Sequence, residues 1–136
     1  GSSQGGALSV MTATLDPRVT FFAAVHRALC DHEAFMKKRA CGWPHYFYYY
    51  GAPDAKELEV VRYYDTANFA RCLTVPGWFS WGYNDDVCPP TSMYAAYNAV
   101  TSPKELHPYL ETGHYWYQEQ WDEWLAWLWK QMGIGK

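Results

Sequence analysis

The sequence lacks the excess of basic residues that binding to nucleic acid requires. It carries 11 lysine and arginine residues against 14 aspartate and glutamate residues, which gives a formal net charge of -3 at pH 7. Such a chain offers little electrostatic attraction to a phosphate backbone. No apolar run approaches the ~20 residues that cross a bilayer, and no charged-then-apolar signal segment opens the chain. We therefore expect a soluble protein that binds neither nucleic acid nor membrane, and its compartment stays open.

The cysteine and histidine spacings typical of metal sites are absent as well. No cysteine belongs to a C-x-x-C pair, and the chain contains no H-E-x-x-H sequence. The adjacent residues Cys30, Asp31 and His32 cannot all point at one ion from regular structure. We expect no metal, no cofactor, and buried or half-buried thiols whose redox state the sequence leaves open. The four cysteines are Cys30, Cys41, Cys72 and Cys88.

What the sequence does have is an unusual number of aromatic side chains. Its 136 residues suit one domain, and 49% hydrophobic against 18% charged residues favour a packed core. Eight tryptophans, twelve tyrosines and six phenylalanines make up 19% of the chain, more than a small core can bury. Some of these rings are expected at the surface. The Tyr46 to Tyr50 block and Trp116 could stack on sugar rings or pack in an interface.

Apolar periodicity predicts an alternation of helices and strands. Helices are predicted from Gln4 to Leu15, over 54–64, 65–71 and 90–100, and over 118–132. The last of these is amphipathic, with Tyr117, Trp121, Trp124, Leu125, Leu128 and Met132 on one face. Strands are predicted over 19–25, 75–81 and 105–111, with an irregular stretch over 30–53 that includes a short helix at 33–39. This order predicts an α/β fold with a parallel sheet and helices on both faces.

The first five residues, Gly-Ser-Ser-Gln-Gly, fit the pattern G-x-S-x-G. In this nucleophile elbow the central serine sits on a strained turn between a strand and a helix, and the flanking glycines avoid Cβ clashes. Ser3 is therefore the candidate nucleophile, with Gly1 and Gly5 as the elbow glycines. Gln4 then begins the helix, so its backbone N–H points at any oxyanion beside Ser3. A flexible Ser/Gly leader is the competing interpretation.

An acid and a base follow in the chain order that the α/β-hydrolase mechanism uses. Asp85 comes just after the second predicted strand, and His114 just after the third. Loops at the carboxyl ends of neighbouring parallel strands meet at one edge of the sheet, so these residues can converge on Ser3. His114 would then accept the Ser3 proton while Asp85 orients the imidazole. Turn and surface roles remain the alternatives for each residue taken alone.

Several stretches together resemble the acetyl xylan esterase and cephalosporin-C deacetylase family of α/β-hydrolases. The similarity runs from the first residue to about His114. It is carried by Ser3-Gln4-Gly5-Gly6, Leu29-Cys30-Asp31, Tyr63-Tyr64-Asp65-Thr66-Ala67-Asn68-Phe69-Ala70-Arg71, Gly82-Tyr83-Asn84-Asp85-Asp86-Val87-Cys88-Pro89-Pro90, Ala95-Ala96-Tyr97-Asn98 and Pro103-Lys104-Glu105.

The resemblance implies a serine esterase. It assigns Ser3 as nucleophile, Asp85 rather than Asp86 as the acid, and His114 as the base. It further implies removal of acetyl groups from xylo-oligosaccharides or similar small acetyl esters by a homo-oligomeric enzyme. Two stretches depart from the family pattern: His26-Arg27-Ala28, where members tend to carry a proline, and Tyr115-Trp116-Tyr117, where glycines are common.

We expect residues 1–136 to form one partial α/β-hydrolase domain that starts at the nucleophile elbow. The strand that delivers Ser3 and the second oxyanion donor are then expected upstream of Gly1. With one donor missing, the isolated chain should be a poor catalyst. Two other functions stay open: a peptidase or lactone hydrolase that uses the same triad, and a non-catalytic, aromatic-rich carbohydrate-binding or assembly domain.

Overall fold

A computed structural model describes residues 1–135, in which three parallel strands form a sheet. The strands are β1 (Phe22–Val25), β2 (Gly77–Gly82) and β3 (Lys104–Tyr109), and they lie side by side in chain order. Ala24 pairs with Phe79, and Phe79 pairs with Leu106. Every residue of β1 and β2 is buried, as expected of strands covered on both faces. The predicted α/β fold class is confirmed.

Within residues 1–135, six α-helices connect and flank these strands. Local signals set several of their ends: Asp54 and Glu57 form a capping box at the start of α3, Pro90 opens α5, and Gly133 ends α6 with a φ of 68°. The helices are α1 (Gln4–Leu15), α2 (Tyr46–Tyr50), α3 (Ala55–Val61), α4 (Thr66–Ala70), α5 (Pro90–Ala99) and α6 (Gln118–Met132). Two 3₁₀ helices span His32–Lys37 and Arg62–Tyr64.

Helices cover both faces of the sheet. On one face, Phe79 and Trp81 of β2 pack in a large apolar cluster with residues of α1, α4 and α5, among them Val10 and Met93. On the other face, Trp78 packs in a smaller cluster that includes Trp127 of α6. Neighbouring strand residues point to opposite faces, so one short strand supplies both cores. No helix within residues 1–135 is long and apolar enough to cross a membrane.

The first strand is shorter than predicted. It begins at Phe22 rather than at residue 19, because its neighbour β2 begins only at Gly77 and the ladder opens with the Phe22 N–H donating to the Pro76 carbonyl. The irregular stretch over 30–53 contains the 3₁₀ helix His32–Lys37 in place of the predicted helix at 33–39, and also α2. The other predicted elements lie within a few residues of their observed positions.

The predicted apolar face of the last helix is wrong in part. Trp121 and Met132 are 39% and 58% exposed, whereas Gln120 and Trp127 are buried. Both buried residues are held by side-chain hydrogen bonds. Gln120 Nε2 donates to Ser80 Oγ at 2.6 Å, and Trp127 Nε1 donates to a Glu105 carboxylate oxygen at 3.1 Å. These polar contacts turn the helix in a way that apolar periodicity does not reveal.

Candidate active site

Ser3 sits on a strained turn between the sheet and α1. Its φ of 53° and ψ of -123° lie outside the conformations that a serine ordinarily adopts. Ser2 forms a parallel bridge with Val25, and the Ser3 N–H donates to the Val25 carbonyl at 2.9 Å. The chain therefore leaves the sheet at Ser3 and enters the helix at Gln4. This strand-to-helix turn has the form of a nucleophile elbow.

Two glycines near Ser3 permit this close packing, and only one of them, Gly1, belongs to the pair that the motif predicts. A Cβ at Gly1 would lie 2.4 Å from the Gly5 carbonyl oxygen, so the first motif glycine is needed. A Cβ at Gly5 would meet nothing within 4 Å because it faces open space. At Gly6 it would lie 2.8 Å from the Val25 carbonyl oxygen. Gly6, rather than Gly5, allows α1 to pack on the backbone of β1.

The structure brings Ser3, His114 and Asp85 together in one line of contacts, which we call the Ser–His–Asp array. His114 Nε2 lies 3.0 Å from Ser3 Oγ, and His114 Nδ1 lies 2.8 Å from Asp85 Oδ2. Both distances are within hydrogen-bond range. Ser3 follows the bridge that Ser2 forms beside β1, Asp85 follows β2, and His114 follows β3. With its proton on Nδ1, the His114 imidazole presents a lone pair to the Ser3 hydroxyl.

The loop that carries His114 is fixed by a close approach to β2. The Asn84 N–H donates to the Thr112 carbonyl at 2.9 Å, which joins the loop of Asp85 to the loop of His114. A Cβ at Gly82 would lie 2.2 Å from the Thr112 carbonyl oxygen and 2.5 Å from that of Gly113. Only a glycine at the end of β2 leaves room for this loop. The geometry of His114 therefore depends on Gly82.

Asp85 is buried and accepts four hydrogen bonds. Its Oδ1 accepts from the Val87 and Cys88 N–H groups at 3.0 and 2.7 Å, and its Oδ2 faces His114 and His26. Burial of the carboxyl would raise its pKa. Donation from His114, His26 and the Cys88 N–H outweighs this effect and lowers the pKa of Asp85 to about 2. Asp85 is therefore held as a carboxylate.

His26 is a member of the site that the sequence does not reveal. It follows β1 directly, its side chain is 1% exposed, and its Nδ1 lies 3.2 Å from Asp85 Oδ2. The sequence alone shows no partner for His26 nearby in the chain. The departure from the family pattern at 26–28 is the one signal that marks this position.

Gln4 is the first residue of α1, so its N–H has no intrahelical partner and belongs to the positive end of the helix. It adjoins Ser3, where an oxyanion would form on a substrate carbonyl. A cavity of about 450 Å³ lies elsewhere, between α2 and α3, and is lined mainly by apolar side chains such as Phe47 and Val60. No member of the Ser–His–Asp array lines this cavity, so the cavity is separate from the array.

Three groups of the site could in principle bind a metal ion. One nitrogen each from His26 and His114 and one oxygen of Asp85 lie within 4.8 Å of one another. In the observed arrangement Nδ1 of each histidine lies within hydrogen-bond distance of Asp85 Oδ2, at 3.2 Å for His26 and 2.8 Å for His114. The Cys30-Asp31-His32 stretch gives no common ligand point, because Asp31 pairs with Arg39 at 2.9 Å and the Cys30 thiol donates to the Ser92 carbonyl at 2.8 Å. Within residues 1–135 all four cysteines are free thiols.

Comparison with known proteins places this arrangement in a family. A family model described as acetyl xylan esterase (AXE1) matches residues 1–131. A curated relative, the acetyl esterase Axe7A of Xylanibacter ruminicola, is 49% identical over 105 residues, which make up 77% of this chain and 24% of the relative.

Two solved structures share the fold. The acetyl xylan esterase from Paenibacillus sp. R4 superposes with a TM-score of 0.80 at 27% identity, over 94% of this chain and 43% of that one. Acetyl xylan esterase 1 from Thermoanaerobacterium sp. JW/SL YS485 gives 0.77 at 28%, over 96% and 44%. The chain thus spans about a quarter of the curated relative and less than half of each solved one. It belongs to the acetyl xylan esterase family.

Proposed function

We propose that the protein is a serine carboxylic-ester hydrolase that removes acetyl groups from acetylated xylan, xylo-oligosaccharides or similar small acetyl esters. The observation that carries this proposal is the Ser–His–Asp array, in which one imidazole lies within hydrogen-bond distance of a strained serine and of a buried carboxylate. The names of the relatives, which are acetyl esterases and acetyl xylan esterases, support the acetyl group as the acyl part.

In the first half-reaction Ser3 would be acetylated. His114 Nε2 accepts the hydroxyl proton of Ser3 as Oγ attacks the acetyl carbonyl carbon. The carbonyl oxygen becomes an oxyanion, and the Gln4 N–H at the start of α1 donates to it. As the tetrahedral intermediate collapses, the imidazolium returns its proton to the departing sugar oxygen. The products are an acetyl-serine and a free sugar hydroxyl.

In the second half-reaction water would replace the sugar. His114 takes a proton from a water molecule, whose oxygen attacks the acetyl carbonyl, and collapse then releases acetate and restores the Ser3 hydroxyl. Asp85 holds Nδ1–H and stabilises the imidazolium in both halves, and it stays ionised throughout because its pKa is about 2. This sequence of steps consumes one water per ester and needs no cofactor.

We also propose that residues 1–136 form a partial α/β-hydrolase domain and that the protein is a homo-oligomer. The first idea is supported by the share of the relatives' length that the chain spans, and by Gly1, whose backbone continues the parallel ladder beside β1. The second is supported by Tyr48, Tyr49 and Tyr50, which expose most of their rings. Light scattering of the purified protein measures its assembly state, and a monomer at all concentrations would refute the second idea.

Labelling with a fluorophosphonate tests the nucleophile, because this probe reacts covalently with serines that an adjacent base activates. We expect one adduct, on Ser3, that is lost in the Ser3→Ala variant. Ser9→Ala is the matched control, because Ser9 lies on the same helix but donates its hydroxyl proton to the Gly5 carbonyl at 2.8 Å. Its labelling should equal that of the unmodified protein. A folded protein labelled elsewhere, or not labelled, would refute the proposal.

Substrate comparison then separates esterase from peptidase or lactone hydrolase. We expect acetylated xylan and p-nitrophenyl acetate to be hydrolysed faster than peptide anilides and lactones. Faster cleavage of an anilide or a lactone would assign the array to one of those activities instead. Binding of xylan without any turnover, unaffected by Ser3→Ala, would favour a non-catalytic carbohydrate-binding domain.

A further inference from the structure

The turn after β1 brings a second histidine onto the acid of the Ser–His–Asp array. His26 Nδ1 lies 3.2 Å from Asp85 Oδ2, the oxygen that His114 Nδ1 also approaches, at 2.8 Å. The centroids of the two imidazole rings are 5.3 Å apart. One carboxylate oxygen therefore lies between two histidines, and the proposed mechanism uses only His114.

We propose that His26 is a positioning residue that donates its Nδ1 proton to Asp85 and thereby sets how strongly Asp85 stabilises the protonated form of His114. This inference rests on the proposed esterase function. It concerns a residue that would touch neither the substrate nor Ser3, and so would act only through the carboxylate.

The backbone at His26 is held in an unusual conformation. Its φ of 45° lies in the left-handed region, which residues other than glycine seldom occupy. Such strain persists only where the surrounding structure fixes it. Here the His26 N–H donates to the Ser80 carbonyl at 2.9 Å, and two residues later the Ala28 N–H donates to the Ser3 carbonyl at 3.1 Å. The strained turn is tied to β2 and to the nucleophile elbow, and it points the imidazole at Asp85.

The surroundings of the ring assign its proton. His26 Nε2 is buried and has no hydrogen-bond partner within residues 1–135. A proton on Nε2 would therefore be buried without an acceptor, which is costly. A proton on Nδ1 is accepted by Asp85. We assign His26 as a neutral imidazole protonated on Nδ1, with the ring of Trp116 against it at a centroid distance of 6.3 Å.

The hydrogen bond from His26 affects how strongly Asp85 stabilises protonated His114. The titratable groups around the carboxylate are His26 from the turn after β1, His114 from the loop after β3, and the thiol of Cys88 just before α5. Burial raises the pKa of Cys88 to about 12, so its thiol stays neutral. A donor on Oδ2 draws negative charge toward itself and leaves less to stabilise the His114 imidazolium. Without that donor, Asp85 should stabilise the protonated form of His114 more strongly.

Two substitutions at His26 separate the donor from the rest of the side chain. In His26→Asn the amide nitrogen stands where Nδ1 stands in histidine, and asparagine tolerates a positive φ. His26→Leu fills similar space without a donor. The readout is the rate of fluorophosphonate labelling as a function of pH. We expect the acid-side midpoint to move up by roughly half a pH unit or more in His26→Leu and to stay in place in His26→Asn.

His107→Asn is the matched control. Its imidazole also faces a carboxylate, with Nδ1 2.9 Å from Glu123 Oε2, but it stacks on Trp78 away from the array. This variant should keep the midpoint of the unmodified protein. If His26→Asn and His26→Leu share one midpoint, the donor has no influence on the base and the proposal is wrong.

A proton spectrum checks the hydrogen bonds without any reaction, and so also covers a His26→Leu protein that fails to fold. We expect the unmodified protein to show a downfield imidazole N–H signal from His26 that His107→Asn keeps and His26→Asn loses. A spectrum in which His26→Asn loses no signal would overturn the proposal. If the His26 signal is present but the fluorophosphonate never labels the protein, the result counts against the esterase function and still supports the hydrogen bond between His26 and Asp85.

Discussion

Replacing Asp85 by asparagine should disable the site while keeping its shape. In Asp85→Asn the amide oxygen can still accept from the Val87 and Cys88 N–H groups, where Asp85 Oδ1 accepts at 3.0 and 2.7 Å. The amide nitrogen then replaces Oδ2 and faces His114 Nδ1 as a donor. To relieve the opposed donors, His114 must carry its proton on Nε2, facing Ser3, and His26, which shares Oδ2 with it, must carry its proton on the buried Nε2. His114 can then no longer accept the hydroxyl proton.

The size of the effect follows from this change of tautomer. The same substitution in other Ser–His–Asp triads lowers kcat by about 10⁴-fold. At about 1.36 kcal/mol for each factor of ten, the barrier rises by roughly 5.4 kcal/mol. We expect fluorophosphonate labelling of Ser3 to slow by a similar factor in Asp85→Asn. Labelling within tenfold of the unmodified rate, in a variant with an unchanged circular dichroism spectrum, would refute this reasoning.

The same substitution should change stability in a defined pH range. The pKa of Asp85 falls from 3.8 to about 2, and each pKa unit corresponds to about 1.36 kcal/mol, so the ionised form stabilises the fold by roughly 2–3 kcal/mol. Because the folded-state pKa is the lower one, this stabilisation is present above about pH 4 and is lost as the pH falls toward 2. Urea unfolding should show this loss in the unmodified protein, and a smaller one in Asp85→Asn.

Three further predictions follow from the packing and chemistry of the site. Gly6→Ala should lower the free energy of unfolding by about 1–3 kcal/mol, because its Cβ would overlap β1. Gly5→Ala should raise it by about 0.5–1 kcal/mol, because alanine has the higher helix propensity. Urea unfolding measures both values, and equal effects of the two substitutions would contradict the packing argument. Gly82→Ala should displace the His114 loop and slow fluorophosphonate labelling of Ser3 at least tenfold. Gly113→Ala should not, because the nearest atom to its Cβ would be 3.4 Å away. An unchanged labelling rate in Gly82→Ala would show that the loop adjusts to the added methyl group. Dialysis against EDTA should leave the rate of ester hydrolysis unchanged, because no proposed step uses a metal ion. A loss of activity that Zn²⁺ restores would show instead that His26, Asp85 and His114 bind a metal ion.

Much of the fold could be predicted from the sequence because parallel strands and their helices leave strong local patterns. The last helix spans 118–132 as expected, and the β2 and β3 strands lie within two residues of their predicted bounds at each end. The chain order of Ser3, Asp85 and His114 predicted that they could converge, because the carboxyl ends of parallel strands share one edge of the sheet. Their roles in catalysis remain predictions.

Contacts that depend on tertiary packing could not be predicted in this way. His26 is 59 residues away from Asp85 along the chain, and only the strained turn after β1 brings the two together. Gln120 is polar, so a search for apolar faces excludes it, although its hydrogen bond to Ser80 buries it. Gly6 lies outside the five-residue motif, and a glycine is needed there because α1 approaches β1 closely. In each case the role of the residue depends on one contact with a residue that is distant in the sequence.

The most direct test of the proposed mechanism is to trap the acetyl-enzyme. The protein is mixed with p-nitrophenyl acetate, quenched in acid, and digested for peptide mass spectrometry. We predict one acetyl group on Ser3, absent in Ser3→Ala and strongly reduced in His114→Ala, because the imidazole 3.0 Å from Ser3 Oγ is the only base positioned on that hydroxyl within residues 1–135. Unchanged hydrolysis of p-nitrophenyl acetate by Ser3→Ala, or an acetyl group on a different residue, would contradict the proposed mechanism.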